Sequence, residues 1–190
     1  MPVFNHIATK DRVVFLTIDD GYIKDPEFAA FVAEQGIPLT MFLVSEAASF
    51  KPDYFKPLVA VPGASIQNHS VNHADLKKLS TSGQRKQVCG NADAEKAMFG
   101  ERPYLLRPPY GAYNATTRMV ARECGMKAIV LWSASMPSTK LYYASGSTLV
   151  PGDIILLHFR KTDGVKNLKK LLGIINEQGL RVGSLTDYLK

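Results

Sequence analysis

No stretch of this 190-residue sequence approaches the roughly 20 consecutive apolar residues that a membrane-crossing helix needs. A membrane span is therefore not expected. The opening residues, MPVFNHIATKDR, also lack the apolar core of a secretory leader. A chain that stays in the cytoplasm and one whose leader has been removed both fit that start. Cysteine is scarce, with only Cys89 and Cys124, far apart and in no Cys-x-x-Cys pattern. They read as two buried thiols or, in an exported chain, as one disulfide. There is no internal repeat, low-complexity tract or linker. Nor is there a run of Lys and Arg that would serve as a nucleic-acid arm. The Lys169-Lys170 pair lies in an apolar-periodic stretch and reads as the wet face of a helix. No nucleic-acid partner is expected. The net charge of +6 would suit an anionic cell wall or a nucleic acid, but carries no information about fold.

What is present is ordinary for a globular chain, with 46% apolar and 21% charged residues. The length suits a single domain over residues 1–190. Short β-rich runs alternate with helical patterns. Strands are expected at Val13 to Ile18, Leu39 to Val44, Ala64 to Asn68, Tyr104 to Arg107, Lys127 to Trp132, Asp153 to His158 and Leu180 to Val182. Helices are expected at Asp25 to Glu34, Pro52 to Val61, Thr81 to Met98, Asn114 to Cys124 and Val165 to Glu177, with a terminal turn at Leu185 to Leu189. Such alternation implies parallel pairing with right-handed crossovers. It fits a closed barrel or an open doubly wound sheet. The polar residues Asp19, Asp20, His69, Arg107 and His158 fall at the C-terminal ends of different strands, where barrel enzymes build their sites. That placement favours an α/β fold of the distorted (β/α)7-8, TIM-barrel-like kind.

Four clusters carry candidate chemistry. In Thr17-Ile18-Asp19-Asp20-Gly21, two carboxylates directly follow a buried strand. They read as a strand-end turn with a capping Asp, or as one carboxylate on a cation and its neighbour free as a base. In Asn68-His69-Ser70-Val71-Asn72-His73, two of the chain's four histidines are four residues apart. On one helical turn they would share a face and could meet one metal ion. Leu106-Arg107-Pro108-Pro109-Tyr110-Gly111 ends a strand in a guanidinium stiffened by two prolines. It is a rigid loop with a structural ion pair, or a preformed loop aimed into a cleft. Ile154-Ile155-Leu156-Leu157-His158 ends an apolar strand in a histidine, which packs or acts as an acid.

Together these clusters resemble the motifs of carbohydrate esterase family 4, the NodB-type polysaccharide deacetylases. TIDDG is similar to the first motif, NHSVNH to the second, RPPYG to the third and LLH to the fifth, in family order from Thr17 to His158. The resemblance implies a metal site of Asp20, His69 and His73, holding Zn2+ with Co2+ as an alternative. It implies Asp19 as general base, Arg107 orienting it, the Tyr110 backbone N–H as oxyanion donor and His158 as general acid. Pro108, Trp132 and Leu156 would line the substrate pocket. The implied substrate is an acetylated polysaccharide, either an N-acetylglucosamine polymer (peptidoglycan or a chitin-type chain) or acetylated xylan. The implied location is extracellular or at the cell wall. The sequence departs from the family at the fourth motif. In Trp132-Ser133-Ala134-Ser135, Ser135 stands where the family has the Asp that supports the acid histidine. A hydroxyl can hydrogen-bond there but brings no charge. Asp163 is a substitute to consider. Weakened turnover, an O-acetyl preference and a carbohydrate-binding pseudoenzyme all follow from that change.

Overall fold

Val13–Asp20 forms β2, eight residues long and buried along nearly its whole length. In the computed structural model, which describes residues 1–159 and 163–189, this strand is the axis on which the sheet is built. Its flanks are β9 (Ile154–His158) on one side and β3 (Thr40–Leu43) on the other, both parallel to it. The ladder continues through β4 (Ser65–Asn68), β5 (Leu105–Leu106) and β6 (Ala128–Val130) to β1 (Val3–Phe4). On the other flank β9 pairs with β7 (Ala134–Ser135), which pairs antiparallel with β8 (Tyr142–Tyr143). A last short strand, β10 (Arg181–Val182), pairs with the start of β2. The ten strands make a curled, mostly parallel sheet, a distorted α/β half-barrel, as the alternating pattern anticipates. Only Leu131–Ser133 separate β6 on one side of the curl from β7 on the other.

Helices α1, α4 and α5 begin where a side chain satisfies a free backbone N–H. Helix α1 (Pro26–Gln35) is capped by Asp25, which accepts from the Glu27 N–H at 3.0 Å, and Gly36 closes it at φ 60°. Helix α4 (Thr81–Phe99) is capped by Ser80 and ended by Gly100. Helix α5 (Ala115–Glu123) starts in a capping box between Asn114 and Thr117. Helix α6 (Gly164–Glu177) lays Leu168, Leu171 and Ile175 on the sheet and leaves Lys169 and Lys170 exposed. Helices α1 and α6 share one apolar layer with Ile18, Leu43 and Leu157. Helices α4 and α5 close another around Val88, Val120 and Ile129.

Several local expectations are corrected. The stretch from Pro52 to Val61 is not one helix but a 3-10 turn over Pro52–Phe55 and a four-residue helix, α3 (Lys56–Val59). Two prolines in six residues remove the donors a longer helix needs. A short helix, α2 (Ser45–Ser49), and the strands β1, β7 and β8 carry no readable period at such lengths. The terminal turn is a one-turn helix, α7 (Leu185–Tyr188). Of the two readings of Cys89 and Cys124, the structure has the disulfide, which joins α4 to the end of α5. Among the described residues, no helix is long and apolar enough to cross a membrane.

Candidate active site

The site follows from strand register. Asp20 lies opposite Leu43, Leu43 opposite Asn68, and Asn68 opposite Leu106. One line across four strands therefore ends at the same level, and Asp20, His69 and Arg107 all sit at that rim. Asp19 is likewise opposite His158. The ladder runs on through Asp19 and Asp20, two residues beyond the expected end of the strand.

Arg107 is the largest fully buried side chain. Nη1 donates to Asp19 Oδ1 at 2.7 Å and to Thr17 Oγ1 at 2.8 Å. Nε and Nη2 donate to the carbonyls of Val130 and Leu131 at 3.1 and 2.9 Å. Those carbonyls lie where the chain leaves β6 and has not yet joined β7, so the guanidinium satisfies acceptors freed by the break in the ladder. It also lies over the Phe42 ring, 4.2 Å from its centre, and 5.8 Å from that of Trp132. Burial opposes the Arg107 charge and the Asp19 carboxylate offsets this.

His69 is buried, and burial holds its pKa below the usual histidine range. Its Nδ1 meets the Arg107 carbonyl at 2.7 Å. Nδ1 thus carries the proton of the neutral ring, and Nε2 presents a lone pair. Nε2 lies 3.6 Å from Asp20 Oδ1 and 3.7 Å from Asp19 Oδ2. His73 Nε2 lies 3.5 Å from the same Asp20 Oδ1. One ligand atom from each of Asp20, His69 and His73 falls within 4.8 Å of the others. Asp20 Oδ1 is buried and has no hydrogen-bond donor among the described residues. A buried carboxylate oxygen without a donor, close to the His69 Nε2 lone pair, is an arrangement that a bound cation would satisfy. Two imidazoles and one carboxylate suit zinc, with coordination positions left for water and substrate.

The two histidines converge by a different route from the one their spacing suggests. They are not on a helical turn. Ser70 and His73 have φ of 69° and 60°, and the segment is a tight loop after β4. Asn68 Oδ1 accepts from Ser70 N at 3.0 Å, and Ser70 Oγ accepts from His73 N at 3.0 Å. Helix α4 grips the loop from behind. Gln87 Oε1 accepts from the amides of Val71 and Asn72, while Asn91 Nδ2 donates to the carbonyls of Leu43 and Ser70. Asp20 itself is turned into position at φ 81°, followed by Gly21 at φ 91°. A non-glycine residue held there is strained, and such strain gathers at functional sites.

The sequence reading missed the supporting residues Gln87 and Asn91, and the buried Glu95 on the same helix. Their signal was legible: Gln84, Gln87, Asn91 and Glu95 recur at helical spacing and are all buried. A polar stripe at the period normally filled by apolar residues marks a helix packed on polar backbone.

Tyr110 is exposed, at φ 61°, and its ring meets His73 edge-on with centres 4.6 Å apart. Pro108 is buried beside it. Trp132 is half-buried and packs against Gly111, where a Cβ would stand 3.2 Å from the indole. Leu156 is buried on β9, opposite Thr17 and Ser135. His158 is half-buried at the end of β9, and its Nδ1 has no hydrogen-bond partner among the described residues. Ser135 supplies no hydrogen bond to it, and Asp163 is an exposed residue at the start of α6.

Residues 6–129 match the family model described as polysaccharide deacetylase. An uncharacterised protein of Streptomyces coelicolor is 41% identical over 99% of this chain and 77% of its own. A peptidoglycan-N-acetylglucosamine deacetylase of Bacillus cereus is 29% identical over 90% of this chain and 66% of its own. A family 4 carbohydrate esterase of Bacillus anthracis superposes with a TM-score of 0.82 at 25% identity, covering 98% of this chain and 86% of that one.

Proposed function

Since this chain belongs to the polysaccharide deacetylase family, carbohydrate esterase family 4, we propose that it hydrolyses N-acetyl groups on an N-acetylglucosamine polymer, peptidoglycan or a chitin-type chain. The observation that carries this reading is Asp20 Oδ1, shared between His69 and His73 at 3.6 and 3.5 Å beside an Asp19 that is paired with Arg107. Asp20, His69 and His73 would hold a divalent metal, Zn2+ or Co2+, which when bound supplies Lewis-acid polarisation of the acetyl carbonyl and of water. Asp19 takes the proton of the attacking water. Arg107 donates to Asp19 Oδ1 and so leaves Oδ2 as the oxygen that faces the substrate. The Tyr110 N–H donates to the oxygen that gains charge during attack. His158 gives a proton to the departing nitrogen. Pro108, Trp132 and Leu156 form the wall against the acetyl methyl.

The substrate is the polysaccharide, and the whole of residues 1–190 acts as one domain. The Cys89–Cys124 disulfide supports action outside the cytoplasm, at the cell wall. The relative's action on peptidoglycan N-acetylglucosamine supports the N-acetyl reading.

Ser135 favours a second reading. Without a carboxylate behind His158, the chain would be an O-acetyl esterase on xylan-type polymers, whose alkoxide leaves with less help from an acid, or a carbohydrate-binding pseudoenzyme. The deciding experiment is acetate release from peptidoglycan, N-acetylglucosamine oligomers and acetylated xylan, with and without a chelator. Chelator-sensitive release from the first two is expected. Release from xylan alone supports the esterase. No release from any polymer, with turnover created by Ser135→Asp, supports the binding protein.

A further inference from the structure

The last member of the polar stripe on α4 has no evident partner. Glu95 is completely buried, and neither carboxyl oxygen has a hydrogen-bond donor among the described residues. One helical turn before it, Asn91 is equally buried and spends both Nδ2 hydrogens, on the carbonyls of Leu43 at 2.9 Å and Ser70 at 2.8 Å. Among the described residues its Oδ1 is left without a donor. Residues four apart on a helix are neighbours. Among the described residues, three buried acceptor oxygens on neighbouring turns of one helix thus have nothing to accept from, which is costly for each. Turning the Asn91 amide over does not help, because Oδ1 would then face two carbonyl oxygens. A single proton on Glu95 removes the conflict.

We propose that Glu95 is a positioning residue, standing protonated and donating its carboxyl O–H to Asn91 Oδ1, so that the Asn91 amide is locked in the orientation that holds the Asn68–His73 loop. Burial acts in the same direction, raising the Glu95 carboxyl well above the usual range against an opposing contribution from Asn91. Through Asn91 the loop between the two histidines is tied to Leu43, the residue opposite Asp20 in the ladder. Glu95 thus acts on His69 and His73 at one remove. This functional consequence rests on the metal-site reading above, whereas the hydrogen bond does not.

The test compares the wild type with Glu95→Gln, whose amide can still donate to Asn91 Oδ1, and Glu95→Met, which fills the space and donates nothing. Amide hydrogen exchange at Ser70 to His73 is measured on metal-free protein, and zinc affinity by chelator competition. Glu95→Gln is expected to behave as the wild type. Glu95→Met should exchange faster in this loop, with α1 and α6 unchanged, and bind zinc about 10–100-fold more weakly, as the loss of support behind a metal ligand does. Infrared spectroscopy of the wild type at neutral pH should show a protonated carboxyl band that Glu95→Gln abolishes. That measurement decides the matter even if Glu95→Met does not fold, since absence of the band overturns the proposal. So does a Glu95→Met variant with wild-type exchange and zinc affinity, or equal impairment of both variants. If the exchange, zinc and infrared results hold while no polymer releases acetate, the deacetylase reading fails and the role of Glu95 stands.

Discussion

Arg107 donates to Asp19 at 2.7 Å with both side chains closed off from solvent. A buried ion pair is weak evidence for stability in itself, but breaking one leaves an uncompensated charge. Arg107→Met is expected to lose about 3–5 kcal/mol of unfolding free energy in urea denaturation. Adding Asp19→Asn to that variant should recover part of the loss. Purely additive effects of the two substitutions would show that the pair is not coupled.

The metal-site reading makes a sharper demand. Asp20→Ala, His69→Ala and His73→Ala should each lose stoichiometric zinc and acetate release together, read by elemental analysis and an acetate assay. Asp19→Asn should keep the metal and lose turnover. Full zinc occupancy in all three ligand variants would refute the assignment, and a wild-type rate in Asp19→Asn would place the base elsewhere.

Glu95 also makes stability depend on pH. Burial raises its carboxyl pKa in the folded state. The folded chain therefore holds a proton that the unfolded chain gives up. This contribution is fully present below the unfolded carboxyl range and is lost as pH rises towards the folded value. Glu95→Gln has no such proton to lose. Its stability relative to the wild type should therefore rise as pH climbs above the ordinary carboxylate range, by about 1.4 kcal/mol for each pH unit over which the folded carboxyl keeps its proton. Parallel stability curves would show that Glu95 does not titrate abnormally.

The Cys89–Cys124 bridge spans 35 positions of sequence between two packed helices. Closing a loop of that size restricts the unfolded chain, so Cys89→Ser with Cys124→Ser should cost about 2–4 kcal/mol in chemical denaturation. Reducing agent should destabilise the wild type by a similar amount and leave the double variant unchanged.

The long elements were legible because their periods are long enough to read. The continuous apolar run of β2, the cap at Asp25, the cap at Asn114 and the amphipathic α6 all declare themselves locally. The two-residue strands β1, β7 and β8 did not, since a pair such as Ala134-Ser135 becomes a strand only when β9 lies beside it. The site divides in the same way. Residue type and spacing singled out the Asp19-Asp20 pair with His69 and His73, and the family resemblance chose Asp20 between the carboxylates, but the helical turn proposed to join the histidines is a loop with two positive-φ residues. Backbone conformation there is set by Asn68, Gln87 and Asn91, two of which lie on a helix about twenty residues away in sequence.

The sequence by itself determined which candidate side chains fall at which strand ends, because residue type and local hydrophobic period are properties of a short window. Only the tertiary structure decided that Asp20 Oδ1 faces two imidazole nitrogens, that Arg107 fills the break between β6 and β7, and that Asn91 and Glu95 stand behind the histidine loop. Those relationships join residues 21 or more positions apart through register, burial and the need to pair every buried polar group, none of which a local window contains.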